Sequence, residues 1–233
     1  MLDIQRYNDL GQMKIDWLNA HYHFSFANYH NPKRMGLGPL RVINDDIVKA
    51  GGGFAPHGHR DMEIITYVRN GAISHEDSLG NKGKTAAGDI QVMSAGSGIE
   101  HSEWNSEDED TTLYQIWLHP RTKNAKPRWE ARQFPKTEGA LHLLASGREG
   151  DADKGALWID QDAAIWGGVL KAGQNWSQPL HGAAYMLVST GEVVVNGEIL
   201  NQGDGVAITA LPTIDITATT ATELVIIDMT VAA

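Results

Sequence analysis

The sequence predicts an all-β protein built from two tandem antiparallel barrels, and three observations carry that expectation. Glycine supplies 25 of 233 residues, about 11% against a usual ~7%, and it punctuates short runs of alternating apolar residues. Those runs recur every ~8–12 residues with turn signals between them, the spacing of a sandwich or barrel. A faint repeat also links the halves: Gly71-Ala72-Ile73 and Gly88-Asp89-Ile90 have counterparts in Gly191-Glu192-Val193 and Gly203-Asp204-Gly205-Val206.

In chain order, residues 62–68 are β-branched and aromatic-rich, and Asn70-Gly71 turns the chain after them. Residues 71–76 lead to a turn at Leu79-Gly80-Asn81, and residues 88–93 lead into the Gly96-Ser97-Gly98 loop. Residues 111–118 read as a strand that Pro120 ends. Residues 126–134 carry a weak helical pattern, enough for a turn or two. Residues 133–153 mix charge and glycine with little periodicity and read as a connection holding one strand, 140–145. Strands then resume at 166–170, 183–188, 191–195, 205–208, 213–217 and 223–228, with a two-residue hairpin at Asn196-Gly197. The expected domains are 1–130 and 131–233.

Composition narrows the chemistry. The chain has no cysteine, which removes disulfides, thiolate zinc sites, Fe–S clusters and cysteine nucleophiles. Any metal must be held by the ten histidines and twenty-nine carboxylates. The formal charge is −10, and residues 155–233 hold eight acids against one base, Lys171, or −7. An acidic surface repels phosphate backbones, so nucleic acid is not an expected partner. No apolar run approaches the ~18 residues of a membrane span, and residues 1–12 lack the apolar core of a signal peptide. A soluble, cytoplasmic, monomeric protein is expected.

The informative stretch is residues 51–105. His57-Gly58-His59 places two imidazoles at i and i+2, the same face of a strand. His101-Ser102-Glu103 repeats that spacing just after the Gly96–Gly98 loop. A lone HxH is most often a pair of surface histidines. Two such pairs framed by glycine corners instead predict a three-histidine, one-carboxylate centre, which suits iron, manganese, nickel, cobalt or copper.

Gly51, His57-x-His59 and Glu63 resemble the first cupin motif, and Gly88, His101 and Asn105 the second. The strings at 23–29 (HFSFANY), 40–46 (LRVINDD), 57–68 (HGHRDMEIITYV), 93–105 (MSAGSGIEHSEWN) and 114–120 (YQIWLHP) resemble the pirin branch of that superfamily. The resemblance is dense over 1–130, looser beyond, and most similar to bacterial pirin-like quercetin 2,3-dioxygenases. It implies a bicupin of jelly-roll-like barrels whose first barrel alone binds one divalent transition metal, iron foremost, with manganese, nickel, cobalt, copper or zinc as alternatives. The implied ligands are His57, His59, His101 and Glu103. Many cupins take the carboxylate from the first motif instead, here Glu63, which is also at an even offset from His59, so parity leaves it open. The implied reaction is oxidative opening of a flavonol ring with O2 and release of carbon monoxide. In it Glu103 is general base for the 3-hydroxyl. The alternative the family offers is a non-enzymatic, metal-dependent regulator that binds a transcription or metabolic protein.

The remaining polar residues carry blander expectations. His23 reads as a core histidine ahead of a supporting role at the metal, Asn44-Asp45-Asp46 as a turn, and Arg60 and Asp61 as an ion pair at the barrel mouth. His75, His119 and His142 read as surface or structural, and His181 as structural in a degenerate second barrel. Phe54, Met62, Ile64, Met93 and Trp104 are expected in the barrel core or around the site.

Overall fold

The computed structural model describes residues 1–231. Its strands are β1 (Leu2–Gln5), β2 (Gly11–Lys14), β3 (Leu18–Tyr22), β4 (Leu40–Val48), β5 (Gly53–His59), β6 (Glu63–Asn70), β7 (Ala72–Asp77), β8 (Lys82–Ala86), β9 (Ile90–Ser94), β10 (Ile99–Trp104), β11 (Thr111–Leu118) and β12 (Arg128–Arg132). They continue as β13 (Ala140–Ser146), β14 (Leu157–Trp158), β15 (Ala163–Leu170), β16 (Asn175–Pro179), β17 (Ala183–Thr190), β18 (Glu192–Val195), β19 (Glu198–Asn201), β20 (Gly205–Ile208), β21 (Thr213–Ala218) and β22 (Thr222–Met229). Helix enters, among the described residues, only as two 3₁₀ turns, Tyr7–Asp9 and Ala152–Lys154. None is long or apolar enough to cross a membrane. The glycine punctuation thus becomes an all-β chain of paired barrels.

Two compact units result. One comprises residues 11–134 and 157–161, the other residues 1–10, 135–156 and 162–233. The first ten residues belong with the second half because β1 pairs antiparallel with β20, Leu2 opposite Ile208. In the first unit a seven-stranded sheet runs β12-β9-β6-β11-β4-β3-β2 and a four-stranded one β5-β10-β7-β8. Its core draws Leu18, Val48, Val68 and Leu113 from the large sheet and Ile73 from the small one. The second unit has β1-β20-β17-β22-β15-β13 as its large sheet and β16-β21-β18-β19 as its small one. Met186, Val206 and Leu224 there meet Val193, Leu200 and Ile216. The hairpin β18–β19 turns at Asn196 and Gly197, with φ of +46° and +92°, the two left-handed positions of a type I′ turn.

Two expectations fail. Residues 126–134 form no helical turn: Arg128–Arg132 is strand β12, paired to β9, and the Trp129 ring fills the space above Gly83, where a Cβ would lie 2.3 Å from it. Asn44-Asp45-Asp46 is not a turn either. It lies inside β4, buried on both faces, and a strand covered on both faces loses the polar alternation that marks one.

Candidate metal centre

The small sheet of the first unit carries the histidines. β5 and β10 pair antiparallel with His57 opposite His101 and Phe54 opposite Glu103. Three steps on β5 therefore span two on β10, a bulge at Ala55-Pro56, where a proline without an N–H is tolerated. The extra residue lets Phe54, His57 and His59 all line one cavity despite their odd spacing.

Ligand atoms of His57, His59 and His101 lie within 4.8 Å of one another, with ring centres 4.5–5.0 Å apart. His57 Nδ1–H points to the Ala55 carbonyl oxygen at 2.8 Å, which leaves Nε2 as its free donor atom. Nε2 of both His59 and His101 is buried with no hydrogen-bond partner among the described residues. Burial, with the neighbouring histidines, lowers His101 to about 3 and His59 to about 4, so both imidazoles are neutral at pH 7. Neutral, unpartnered imidazole nitrogens converging on one point fit a divalent transition metal.

Glu103 is 2% exposed and lines the same cavity. Gln115 Nε2 donates to its Oε2 at 2.6 Å, while Gln91 Nε2 (2.5 Å) and Thr66 Oγ1 (3.1 Å) donate to Oε1. Gln91 is itself steadied by Thr85 Oγ1 at 3.0 Å. Burial pushes the Glu103 carboxyl above its ordinary range, against these donors and His57. Glu63 is placed differently. Its Oε2 accepts from Ser94 Oγ at 2.8 Å, and it is absent from the cavity wall, which its neighbour Ile64 lines.

Behind His101 stands a pair that the sequence reading passed over. His75 is buried, not at the surface. Its Nδ1 lies 3.5 Å from His101 Nδ1, and its Nε2 lies 3.2 Å from Asp77 Oδ2. Burial opposes the Asp77 charge, but bonds from Asn81, His75 and Leu79 outweigh it and hold the carboxyl below its usual value. An ionised Asp77 takes His75 Nε2–H, which leaves His75 Nδ1 bare to accept from His101 Nδ1–H. The chain of bonds fixes His101 as the tautomer whose Nε2 carries no proton and would be free to hold a metal. Trp129 stacks on His75 at 4.8 Å, 7° from parallel. The signal was present, since His75-x-Asp77 has the same i, i+2 spacing as the ligand pairs.

The cavity measures about 350 Å³, within the range of small-molecule sites. Trp17, Phe26, Phe54, Ile64 and Trp117 supply apolar wall, and Asn44, Asp46 and Gln115 polar wall. Met62 and Met93 do not line the cavity but pack behind it, in a core cluster with Ile64 and Trp117. Trp104 is 41% exposed, outside both core and cavity. Arg60 and Asp61 do not pair with each other; Arg60 donates to Asn124 Oδ1 at 3.3 Å, and Asp61 Oδ1 accepts the Asn124 N–H at 2.6 Å. His23 is buried away from the cavity, His119 is exposed and His142 half-buried. In the second unit His181 Nδ1 bonds Asp228 at 2.8 Å.

A β-barrel pair with an internal three-histidine cluster defines a cupin-type metal protein. The pirin family model matches residues 4–118, and the model for the quercetinase C-terminal cupin domain matches residues 143–229. A pirin-like protein of Caulobacter vibrioides is 48% identical over 98% of this chain and 99% of its own. The quercetin 2,3-dioxygenase of Escherichia coli K12 is 40% identical over the same shares. The crystal structure of the Escherichia coli pirin YhhW in complex with nickel(II) superposes over all of both chains with a TM-score of 0.94 at 38% identity. This chain belongs to the pirin family and is a bicupin.

Proposed function

We propose that the chain is a metal-dependent dioxygenase that opens the ring of a flavonol such as quercetin with O2 and releases carbon monoxide. The observation that carries the reading is a buried carboxylate, Glu103, held by three donors in a mainly apolar cavity that also gathers the three imidazoles of His57, His59 and His101. The quercetin 2,3-dioxygenase name of the Escherichia coli relative supports it. His57, His59 and His101 hold one divalent metal ion, with Glu103 as fourth ligand, as base, or as each in turn. The first barrel thus carries the chemistry and the second serves as a degenerate, metal-free partner. When bound, the ion supplies Lewis acidity for an enolate oxygen and redox capacity toward O2.

The chain's own residues do the rest. Glu103 accepts the proton of the 3-hydroxyl, raising electron density in the ring for attack by O2. Gln115, Gln91 and Thr66 hold the carboxylate at one orientation, so no reorganisation accompanies the proton transfer. Trp17, Phe26, Phe54 and Trp117 enclose a flat aromatic and exclude water. Iron is the first choice for the ion, and the nickel(II) complex of YhhW supports nickel as an alternative.

Purified protein should carry about one equivalent of a divalent transition metal and, aerobically, bleach the quercetin absorption band with release of carbon monoxide. Glu103→Gln should cut turnover by ~10²–10⁴, while Glu63→Gln leaves it near wild type. A metal-loaded protein that leaves quercetin untouched would favour the regulatory reading instead. An inactive Glu63→Gln beside an active Glu103→Gln would reassign the base.

A further inference from the structure

Two polar side chains in the cavity wall have no task in the reaction described above. Asn44 and Asp46 stand two residues apart on β4, share a face, and both line the cavity. They are 5% and 2% exposed, and Oδ1 of each is buried without a hydrogen-bond partner among the described residues. A buried acceptor left without a donor is costly, so two on one wall point to a partner that enters with a ligand. Their neighbours are provided for. Asp45, on the opposite face of β4, pairs with Arg69, and Glu103 is held by three donors.

The chemistry of the partner follows from the atoms that wait for it. The Oδ1 atoms call for a hydrogen donor, while the Asn44 amide and the Asp46 carboxyl, pushed well up by burial and by Asp45 and Glu103, offer donors in turn, so a hydroxyl that both donates and accepts matches the pair. The aromatic wall of Trp17, Phe26, Phe54 and Trp117 calls for a flat, apolar body. A ring bearing a phenolic hydroxyl offers both in one molecule. A few fixed polar atoms in a mainly apolar pocket are what orient such a ligand.

We propose that Asn44 and Asp46 form a subsite for a second phenolic hydroxyl of the substrate, distinct from the one that Glu103 deprotonates, and thereby select polyhydroxylated flavonols over bare ones. This rests on the flavonol reading and names the feature of the substrate that the cavity recognises. A site built to bond a hydroxyl discriminates strongly against the analogue that lacks it, because its own buried groups are then left unpaired.

The test uses zinc-loaded full-length protein, since zinc has no redox chemistry and binding is read without turnover. Kaempferol and 3-hydroxyflavone are titrated by tryptophan fluorescence. They share the reacting enol, and neither has a catechol to chelate the metal. Wild type should bind kaempferol more tightly by roughly tenfold or more. Asn44→Leu and Asp46→Leu should each bring the ratio toward one by weakening kaempferol. Retained 3-hydroxyflavone affinity verifies that the variants fold. Galangin, without the hydroxyl on the pendant ring, then tells which ring enters the subsite. Equal wild-type affinities would overturn the subsite and leave the flavonol reading standing, a result that needs no variant. A kaempferol preference kept by both folded variants would overturn it too, leaving water as the partner of the two oxygens. Failure of wild type to bind either flavonol would remove both readings together.

Discussion

Asp77 lies opposite His101 on the neighbouring strand, and through His75 it decides which nitrogen His101 presents. The carboxylate is held by Asn81 and Leu79, so it cannot swing to another partner, and His75 passes its preference on to His101. His75→Leu removes the acceptor that His101 Nδ1–H needs and frees that ring to rotate. Metal affinity should fall ~10–100-fold, the usual cost of losing a partner behind a ligand, as read by competition with a colorimetric chelator. An unchanged affinity would show that the three rings hold their orientation without this support.

At the scale of strands, the centre depends on how closely β5 and β10 approach. A Cβ on Gly53 would lie 2.4 Å from the Glu103 carbonyl oxygen and 2.7 Å from the Trp104 ring, so Gly53→Ala must force the two histidine-bearing strands apart. It should cost ~1–3 kcal/mol, as overpacking does, and weaken metal binding, read by thermal denaturation and metal titration. Gly58, between the two histidines of β5, has room for a Cβ, which would meet only the Ile99 carbonyl oxygen at an ordinary contact distance of 3.9 Å. Gly58→Ala should therefore change stability by less than ~0.5 kcal/mol, and a loss as large as that of Gly53→Ala would refute the packing argument. These strands also show what a sequence discloses. Each ligand pair is legible because period-two projection is local. The donors that hold Glu103 come from β6, β9 and β11, far apart in sequence, and no local pattern announces them. β4 was illegible for another reason. Asn44 and Asp46 face the cavity while Asp45 meets Arg69, so three consecutive polar residues mimic a turn.

Across the whole molecule the repeat proves to be a shared corner. Gly71 and Gly191 have φ of +75° and +81°, and a Cβ on either would meet a threonine Oγ1 at 2.5 Å, Thr111 or Thr222. Those hydroxyls donate to the carbonyls of Ala72 and Glu192 at 2.9 and 3.0 Å. Gly88 and Gly203 each return a 2.7 Å bond, to Val68 and Val188. The barrel pair was legible because such corners need glycine. Global stability should also follow pH through buried histidine. Burial, then Arg34, His21 and Arg69, lower His23 from 6.5 to about 3. Between those values the unfolded chain binds more protons than the folded one, so stability rises with pH. The contribution of His23 is fully present above pH 6.5 and is lost as pH falls toward 3. Urea midpoints should decline from pH 7 to pH 4, and His23→Gln should shrink that decline; an identical slope would assign the acid sensitivity elsewhere. The Ala55-Pro56 bulge also sets which side chains of β5 face the cavity. Only the extra residue there brings both imidazoles of β5 to the side of Phe54. Loss of a single residue at Ala55 would leave His57 opposite His101 and turn Phe54 to the other face, removing one aromatic side chain from the wall while the imidazoles stay together. One small deletion there would thus reshape what the cavity admits and leave the histidine cluster as it is.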